Sequence, residues 1–325
     1  MDEIDLPDRP FDNILNFRDV GVYINQLCGS RVLKEGILFR GARPDNASKR
    51  DQERLTDELH LASVIDLRTT TEHTIAANRR LAQLNEAEEE PLPAVQTRSA
   101  TNDEHLVNLP GVRRFLLNLA GWNLEKTLLW RLSWYHFFKV LSLVAAGYRK
   151  DATKLVIEHS MVARGLKGLA HDTLTASQPE VKELFGFLSS PAGYPTFVHC
   201  TQGKDRTGLV IMLLLLLVNS PRPEESKEEG DVRGVKNSST ANKIPLSAIT
   251  SDYRISEGQL LPELEERLEE MREMGLPEDF AKCPDGFVED VMRFLEEGYG
   301  GIRGYLSAAG VDDETVEKVR GLLEG

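Results

Sequence analysis

The clearest pattern in the chain is a pair of apolar runs separated by a short polar segment. Residues 196–198 (TFV) are β-branched or aromatic, and residues 209–218 (LVIMLLLLLV) are uniformly apolar. The first run predicts a buried strand and the second a buried helix, which is too short to span a bilayer. The polar residues 201–206 (TQGKDR) therefore predict a tight loop that leads into a helix N-terminus.

The N-terminal part of the chain predicts a small sheet and one helix. Residues 20–24 alternate and residues 31–40 return after a turn at 28–30, as expected for an antiparallel pair. Residues 48–60 predict a helix with a serine N-cap, and residues 61–67 predict a short apolar strand.

The middle of the chain contains a polar segment followed by an apolar one. Residues 82–104 are acidic, polar and interrupted by proline, which is typical of a solvated loop. Residues 112–147 are apolar and aromatic and predict one long amphipathic helix. Arg131, His136 and Lys139 make that segment unsuited to span a membrane.

The C-terminal half predicts helices around a polar insert. Residues 219–243 are rich in Pro, Ser, Glu and Lys, and we expect this insert to be disordered. Further helices are predicted at 153–169, 178–188, 246–253, 260–274, 287–299 and 312–323. The alternation of strands and helices predicts one α/β domain over residues 1–325, with a central, mostly parallel sheet flanked by helices. In such sheets ligands bind beyond the carboxyl ends of the strands.

Composition narrows the class of protein. The chain has 325 residues, of which 41% are hydrophobic and 28% charged, as in globular proteins. Its net charge of −13 disfavours non-specific binding to nucleic acid or anionic membrane over most of the surface. Three cysteines are too few for a disulfide framework or a metal cluster, and we expect no metal or organic cofactor. The acidic N-terminus shows no signal peptide, so we expect a cytoplasmic or nuclear protein.

The 200–206 loop carries the candidate chemistry. Thr201, Gln202, Gly203, Lys204 and Asp205 precede Arg206, and backbone N–H groups of such a loop can form a nest for a tetrahedral anion. The same field would stabilise a thiolate at Cys200 and make it a nucleophile.

Three side chains beside the nucleophile have predicted roles. The Arg206 guanidinium matches two phosphoryl oxygens. His199 can fix the nucleophile through hydrogen bonds, and the Thr207 hydroxyl can donate to the thiolate when it leaves.

The sequence HCTQGKDRTG at 199–208, which contains these residues, resembles the phosphate loop of cysteine-dependent tyrosine phosphatases. Its GKDR form is similar to the atypical tyrosine/serine phosphatase family that includes mycobacterial tyrosine phosphatase B and many fungal members. Val22 departs from this pattern, because the family usually has a second glycine there, so we expect a different turn. The further matches are NFRDVG at 16–21, LFRGA at 38–42, VIDLR at 64–68, SDY through SE at 251–257 and YGGIRGYLSAAG at 299–310.

The resemblance implies hydrolysis of phosphotyrosine, and also of phosphoserine or phosphothreonine, through a phosphocysteine intermediate. For the general acid it favours Asp205, and Asp172 is the alternative because it lies at about the distance from Cys200 that classical tyrosine phosphatases use. Lys204 resembles the extra cation of phosphoinositide phosphatases, which leaves a phosphoinositide or inositol phosphate as an alternative substrate. The alternative from another functional class is a module that binds phosphorylated groups but does not hydrolyse them.

Further supporting residues are expected, Arg40 from the resemblance and Asp66 and Arg68 because they end a strand at the edge of the sheet where ligands bind. Arg40 is expected near the substrate pocket or as a surface residue, and Asp66 and Arg68 are expected near the loop or as a structural ion pair. Residues 105–150 are expected to form a core helix, a helical lid over the site or a peripheral membrane-docking element.

Overall fold

The centre of the fold is a five-stranded sheet. The computed structural model describes residues 11–87, 107, 109–221 and 243–325. The strands are β1 (Arg18–Asp19), β2 (Leu38–Gly41), β3 (Ser63–Asp66), β4 (Arg113–Leu116) and β5 (Thr196–His199), in the order β1-β2-β5-β3-β4. Only the β1–β2 pair is antiparallel, so the predicted α/β class with a mostly parallel sheet is confirmed.

Helices cover the sheet. The α-helices are α1 (Val20–Cys28), α2 (Lys49–Glu53), α3 (Thr70–Ala87), α4 (Trp122–Trp130), α5 (Trp134–Ala145), α6 (Arg149–Val156), α7 (Ala163–Ala176), α8 (Gln178–Leu188), α9 (Asp205–Asn219), α10 (Leu246–Gln259), α11 (Leu264–Met274), α12 (Phe287–Tyr299), α13 (Ile302–Ala308) and α14 (Asp313–Leu323). Within the described residues, π-helical turns at Arg54–Glu58 and Ile157–Val162 continue α2 and α6, and 3-10 turns lie at Pro191–Gly193, Leu261–Glu263 and Glu278–Ala281.

Helix α9 occupies the middle of the largest apolar core. Its residues 207–218 are all buried, as the uniformly apolar sequence predicts. The helix packs on β5 and on the C-terminal helices α10, α13 and α14. Because a helix buried on every side has little freedom to move, its N-terminus is fixed at the edge of the sheet.

The strand register brings three strand ends together. In the sheet β5 lies between β2 and β3, and His199 is opposite both Gly41 and Asp66. All three strands run parallel, so their carboxyl ends form one edge, where a ligand site is expected.

The predicted antiparallel pair at 20–24 and 31–40 is wrong. Of the residues before α1, only 18–19 pair with β2, and the chain then continues directly into α1. The Asp19 carboxylate caps that helix by accepting from the N–H groups of Gly21 (2.8 Å) and Val22 (3.2 Å). Val22 therefore lies in the first turn of a helix, so its departure from the family pattern does not fall in a loop.

The predicted single helix over 112–147 is also wrong. Residues 113–116 form the edge strand β4, and the rest is divided between α4 and α5. The division comes at Ser133, whose hydroxyl caps α5. The helix predicted at 153–169 begins earlier and continues to Ala176, with a break at Gly165 (φ 64°).

Two predicted loops are only partly described. Residues 82–87 are the end of α3, not loop, and the remainder of the predicted loop up to residue 104 lies outside the described residues. Most of the predicted disordered insert, residues 222–242, also lies outside them.

Candidate active site

The 200–206 loop lies where the fold concentrates strand ends. Cys200 follows β5, residues 201–204 form the turn, and Asp205 is the first residue of α9. Cys200 is almost fully buried, yet it lines the wall of a cavity. The arrangement of strand, turn and helix N-terminus is the one that the apolar pattern predicts.

Neighbouring segments hold the carbonyl groups of this loop from outside. The Thr201 carbonyl accepts from the N–H of Arg43 (3.1 Å), the Gln202 carbonyl from Asn16 Nδ2 (3.0 Å), and the Gly203 carbonyl from Arg40 Nη2 (2.8 Å). In a trans peptide the next N–H points opposite to the carbonyl. The three N–H groups that follow therefore face the inside of the loop, as an anion-binding nest requires.

Gly203 is required by close packing as well as by its backbone angle. Its φ is +67°, and a Cβ there would lie 2.0 Å from the Gly41 carbonyl oxygen. No other residue type fits this position without moving β2 away from the loop.

Arg206 is held by a carboxylate that sequence reasoning missed. Glu72 accepts from Arg206 Nη1 (2.6 Å) and Nη2 (2.5 Å), and the Thr201 hydroxyl also donates to it. Glu72 and Thr69 form a capping box, with Thr69 N–H to Glu72 Oε2 at 2.9 Å. The sequence TTTE at 69–72 carries the signal for this box, which could have identified Glu72.

The ion pair sets the charge of both partners. Burial acts to raise the pKa of Glu72, but the hydrogen bonds and charge of Arg206 outweigh it and lower that pKa to about 2. The pKa of Arg206 is raised, because Glu72 outweighs the opposing effect of burial. Arg206 is therefore a fixed cation at the end of the loop.

His199 lies behind the nucleophile. Its Nδ1 is 3.1 Å from the Cys200 carbonyl, and its Nε2 is 3.6 Å from Asp66 Oδ2. Burial lowers the pKa of His199, although the charge of Asp66 acts in the opposite direction. Within the described part of the chain, the buried Thr207 Oγ1 has no hydrogen-bond partner, so it is available to a group at Cys200.

Asp66 and Arg68 lie near the loop and also form an ion pair, so both alternatives from the sequence apply. Arg68 Nη2 is 2.7 Å from Asp66 Oδ2, and Arg68 binds Asp45 at 2.5 and 3.0 Å. Burial acts to raise the pKa of Asp66, but His199 and Arg68 outweigh it and lower that pKa. The charge of Arg68 is balanced by two carboxylates even though the side chain borders the cavity.

Arg40 does not face the substrate pocket, nor does it lie on the surface. It is fully buried and bonds to Asp252 as well as to the loop, and Arg18 Nε also donates to Asp252 (2.8 Å). Burial lowers the pKa of Arg18 to about 10, although Asp252 acts in the opposite direction. This buried network of Arg18, Arg40 and Asp252 supports the outside of the loop.

Lys204 does not line the cavity. Its side chain is fully buried, and Nζ donates to the carbonyls of Lys282 (2.8 Å) and Phe280 (3.1 Å) and pairs with Asp205 Oδ1 (3.1 Å). The expectation that Lys204 meets a second phosphate is therefore not supported by its position. A spacing along the sequence gives no information on which side of a turn a side chain leaves.

The two candidate acids have different surroundings. The Asp205 side chain is 40% exposed, borders the cavity and lies 3.3 Å from the Tyr253 hydroxyl. Asp172 lies within α7, is 2% exposed and is bound by Arg131 (2.5 Å) and Arg164 (3.1 Å). Arg164 thus pairs with Asp172 within the same helix.

The cavity above the loop has a volume of about 770 Å³. Apolar side chains from several helices form most of its wall, including Leu124 and Leu128 of α4. Three arginines and six carboxylates also border it: Arg43, Arg68, Arg206, Asp45, Glu72, Glu125, Asp205, Glu263 and Glu266.

Among the described ranges, His, Cys, Asp and Glu nowhere gather in a group of three that could hold a metal ion. In those ranges we also find no helix with the length and apolar character needed to cross a membrane.

The fold and the loop geometry define the class of tyrosine-phosphatase-like proteins. A family model described as "Tyrosine phosphatase family" matches residues 9–225 and 240–324. The chain belongs to this tyrosine phosphatase family, as the resemblance of its loop predicts.

Two curated relatives match part of the chain. The chain is 27% identical over 150 residues to "Triple specificity protein phosphatase PtpB" of Mycobacterium tuberculosis (strain ATCC 25618 / H37Rv), covering 41% of this chain and 45% of the relative. It is 29% identical over 146 residues to "Tyrosine-protein phosphatase" of Nostoc commune, covering 44% of each chain. The match thus spans less than half the length of these relatives.

The buried network predicts a large effect of Asp252→Ala on stability. Removing this carboxylate leaves Arg18 and Arg40 buried without their partner, which should lower the free energy of unfolding by about 3–5 kcal/mol. Urea denaturation measures this change. Asp285→Ala is the control, because Asp285 is 89% exposed and pairs with Arg254 on the surface, so its loss should be within about 0.5 kcal/mol. Equal losses in the two variants would contradict the structural role of Asp252.

The ion pair between Glu72 and Arg206 predicts that Glu72→Gln lowers the stability of the protein in a pH-dependent way. The pKa of Glu72 is about 2 in the folded protein and 4.5 ordinarily, so its contribution is complete above pH 4.5 and is lost as the pH falls toward 2. The variant should be about 2–3 kcal/mol less stable than the wild type at pH 7, and the difference should shrink below pH 4.5. Urea denaturation across pH measures it, with the exposed Glu314→Gln as a control. A difference that stays constant down to pH 2 would contradict the assignment.

Proposed function

We propose that the chain hydrolyses phosphotyrosine in proteins through a phosphocysteine intermediate. The observation that carries this proposal is the loop in which the carbonyls of Thr201, Gln202 and Gly203 are held outward, with Cys200 at its base and Arg206 fixed at its end by Glu72. Inward N–H groups and a fixed guanidinium match a phosphoryl group whose equatorial oxygens gain charge in the transition state.

The first step transfers the phosphoryl group to the protein. The Cys200 thiolate attacks phosphorus in line, and the bond from phosphorus to the tyrosine oxygen breaks. The leaving oxygen takes a proton from Asp205, while the loop N–H groups and Arg206 stabilise the equatorial oxygens.

The second step releases phosphate. A water molecule attacks phosphorus, the phosphorus–sulfur bond breaks, and the Asp205 carboxylate takes the proton from the water. The Thr207 hydroxyl, which is buried without a partner in the described part of the chain, donates to the departing thiolate. Asp205 thus returns to the protonated form that the first step needs.

The surroundings of the two carboxylates favour Asp205 as the acid. Asp205 borders the cavity and its side chain is partly exposed, so it can reach a leaving oxygen above the loop. Asp172 is buried and bound by Arg131 and Arg164, and it does not line the cavity.

The cavity favours an aromatic phosphomonoester with one phosphate. Its apolar walls suit a tyrosine ring, and Leu124 and Leu128 of helix α4 line it, which supports a role as a lid for the described part of residues 105–150. Glu125 and Glu263, which also line the cavity, would repel a second phosphate. Lys204 does not line the cavity, so its position does not favour a phosphoinositide. We propose phosphoserine and phosphothreonine as secondary substrates, in line with the name of the mycobacterial relative, which gives that protein more than one specificity.

Turnover by wild type and Cys200→Ser tests the proposal. We expect the wild type to release phosphate from phosphotyrosine peptide in the presence of a chelator, and more slowly from phosphoserine peptide and from mono- and polyphosphorylated inositides. Cys200→Ser should lose at least about 10³-fold in kcat, since the nucleophile is removed. Activity retained by the serine variant would contradict the thiolate mechanism, and binding without turnover by the wild type would support a phospho-binding module instead.

Asp205→Asn tests the general acid by leaving-group dependence. The variant should lose about 10²-fold or more in kcat on phosphoserine peptide, whose leaving group needs a proton. The loss should be much smaller on p-nitrophenyl phosphate, whose leaving group is stable as an anion. Asp172→Asn is the matched comparison and should not show this difference between substrates. The reverse pattern in the two variants would assign the acid to Asp172.

A further inference from the structure

Helix α5 presents an exposed apolar face to solvent. We call Trp134, Tyr135, Phe138, Leu141 and Val144 the α5 outer face; these side chains are 74%, 70%, 59%, 49% and 46% exposed. Trp134, Phe138 and Leu141 have the spacing i, i+4, i+7, so they line one side of the helix. The rings of Trp134 and Phe138 stack at 6.1 Å. Contiguous apolar surface of this kind marks an interaction site.

The α5 outer face is not needed to pack the helix. On its opposite side α5 contributes Val140 to a small buried cluster with Leu132, Ala152 and Leu155. Phe137 of α5 also packs against that cluster, whereas Trp134, Tyr135 and Phe138 are exposed. The exposed residues are therefore available to a partner.

The charge of this segment differs from that of the rest of the chain. The whole chain has a net charge of −13, but residues 126–150 contain five Lys or Arg residues and no Asp or Glu. Arg131 is bound by Asp172, whereas Lys126 and Lys139 are exposed. Lys139 lies on α5 beside the aromatic residues and, with Trp134, Tyr135 and Phe138, lines a shallow depression.

We propose that the α5 outer face binds the surface of an anionic phospholipid bilayer. A helix with Trp, Phe and Leu on one side and lysine at its border lies in the headgroup region, with the apolar side chains inserted and the ammonium near lipid phosphates. The local positive charge explains why this part of an acidic protein approaches an anionic surface. The helix has 12 residues, so it lies on the bilayer and does not cross it.

The position of the tryptophans makes this proposal directly testable. All three tryptophans of the chain, Trp122, Trp130 and Trp134, lie on α4 and α5 and are 69%, 66% and 74% exposed. Intrinsic tryptophan fluorescence of the full chain therefore reports on this region alone. We expect a blue shift and co-sedimentation with vesicles of phosphatidylcholine and phosphatidylserine, weakened by salt, and neither with phosphatidylcholine alone.

Variants separate the apolar and charged contributions. Trp134→Ala/Phe138→Ala should weaken vesicle binding roughly tenfold or more, because two inserted rings are lost. Lys139→Glu should weaken it roughly tenfold through charge reversal. Leu261→Ala and Lys318→Glu change an exposed leucine and an exposed lysine elsewhere and should leave binding unchanged. Circular dichroism and urea denaturation confirm that each variant is folded.

Three outcomes would overturn the proposal. The wild type does not sediment with anionic vesicles, or the double variant binds them as well as the wild type does. In the third outcome, sedimentation equilibrium shows a dimer of the wild type, the double variant is a monomer, and added vesicles do not dissociate the dimer. A second copy of the chain would then cover the α5 outer face. None of these outcomes depends on whether the chain hydrolyses phosphotyrosine.

Discussion

The structure of the site depends on one constraint, which is that the carbonyls of the 200–206 loop point outward in a buried environment. Buried carbonyl oxygens need donors, and here the donors are Asn16, Arg40 and the N–H of Arg43, all at least 150 residues away in the sequence. Arg40 is itself a buried cation and requires Asp252, which in turn also binds Arg18. The charged residues beneath the loop thus follow from the orientation of its peptide groups.

Glu72 connects this loop to the helical layer on the other side. A single carboxylate completes the N-terminal cap of α3, accepts from Thr201 and fixes Arg206. The orientation of the guanidinium is therefore tied to the position of a helix end, and any movement of α3 would change the geometry at the site. The side chain serves both stability and alignment, so the two effects cannot be separated by simple truncation.

Local patterns in the sequence predict the parts of the fold that obey local rules. The strand at 196–199, the buried helix after it, the Ser48 cap and α8 and α12 follow from periodicity and capping signals. The N-terminal strand prediction failed because the alternation at 20–24 also fits a short helix, and Asp19 supplies the cap that decides between the two. The long helix failed at Ser133, where a cap begins a new helix inside an apolar run.

The residues of the site fall into the same two groups, those that local sequence patterns predict and those that they do not. Cys200, Arg206 and Gly203 were found because they lie within seven residues of one another in a loop of known geometry. The network of Arg18, Arg40 and Asp252 was not assigned, because side chains more than 200 residues apart meet only through the order of the strands and helices. The direction of Lys204 depends on carbonyls of residues 280 and 282, which no local pattern could reveal.

The small cluster between α5 and α6 shares no buried residue with the large core around α9. Opening of this outer helical pair and unfolding of the sheet are therefore governed by separate sets of contacts, and local opening needs far less free energy than global unfolding. Substitutions in the outer pair can change its sequence, its mobility or its surface chemistry while the loop and its supports stay intact. The protein thus contains a rigid part, whose residues constrain one another, and an outer part that is free to diverge.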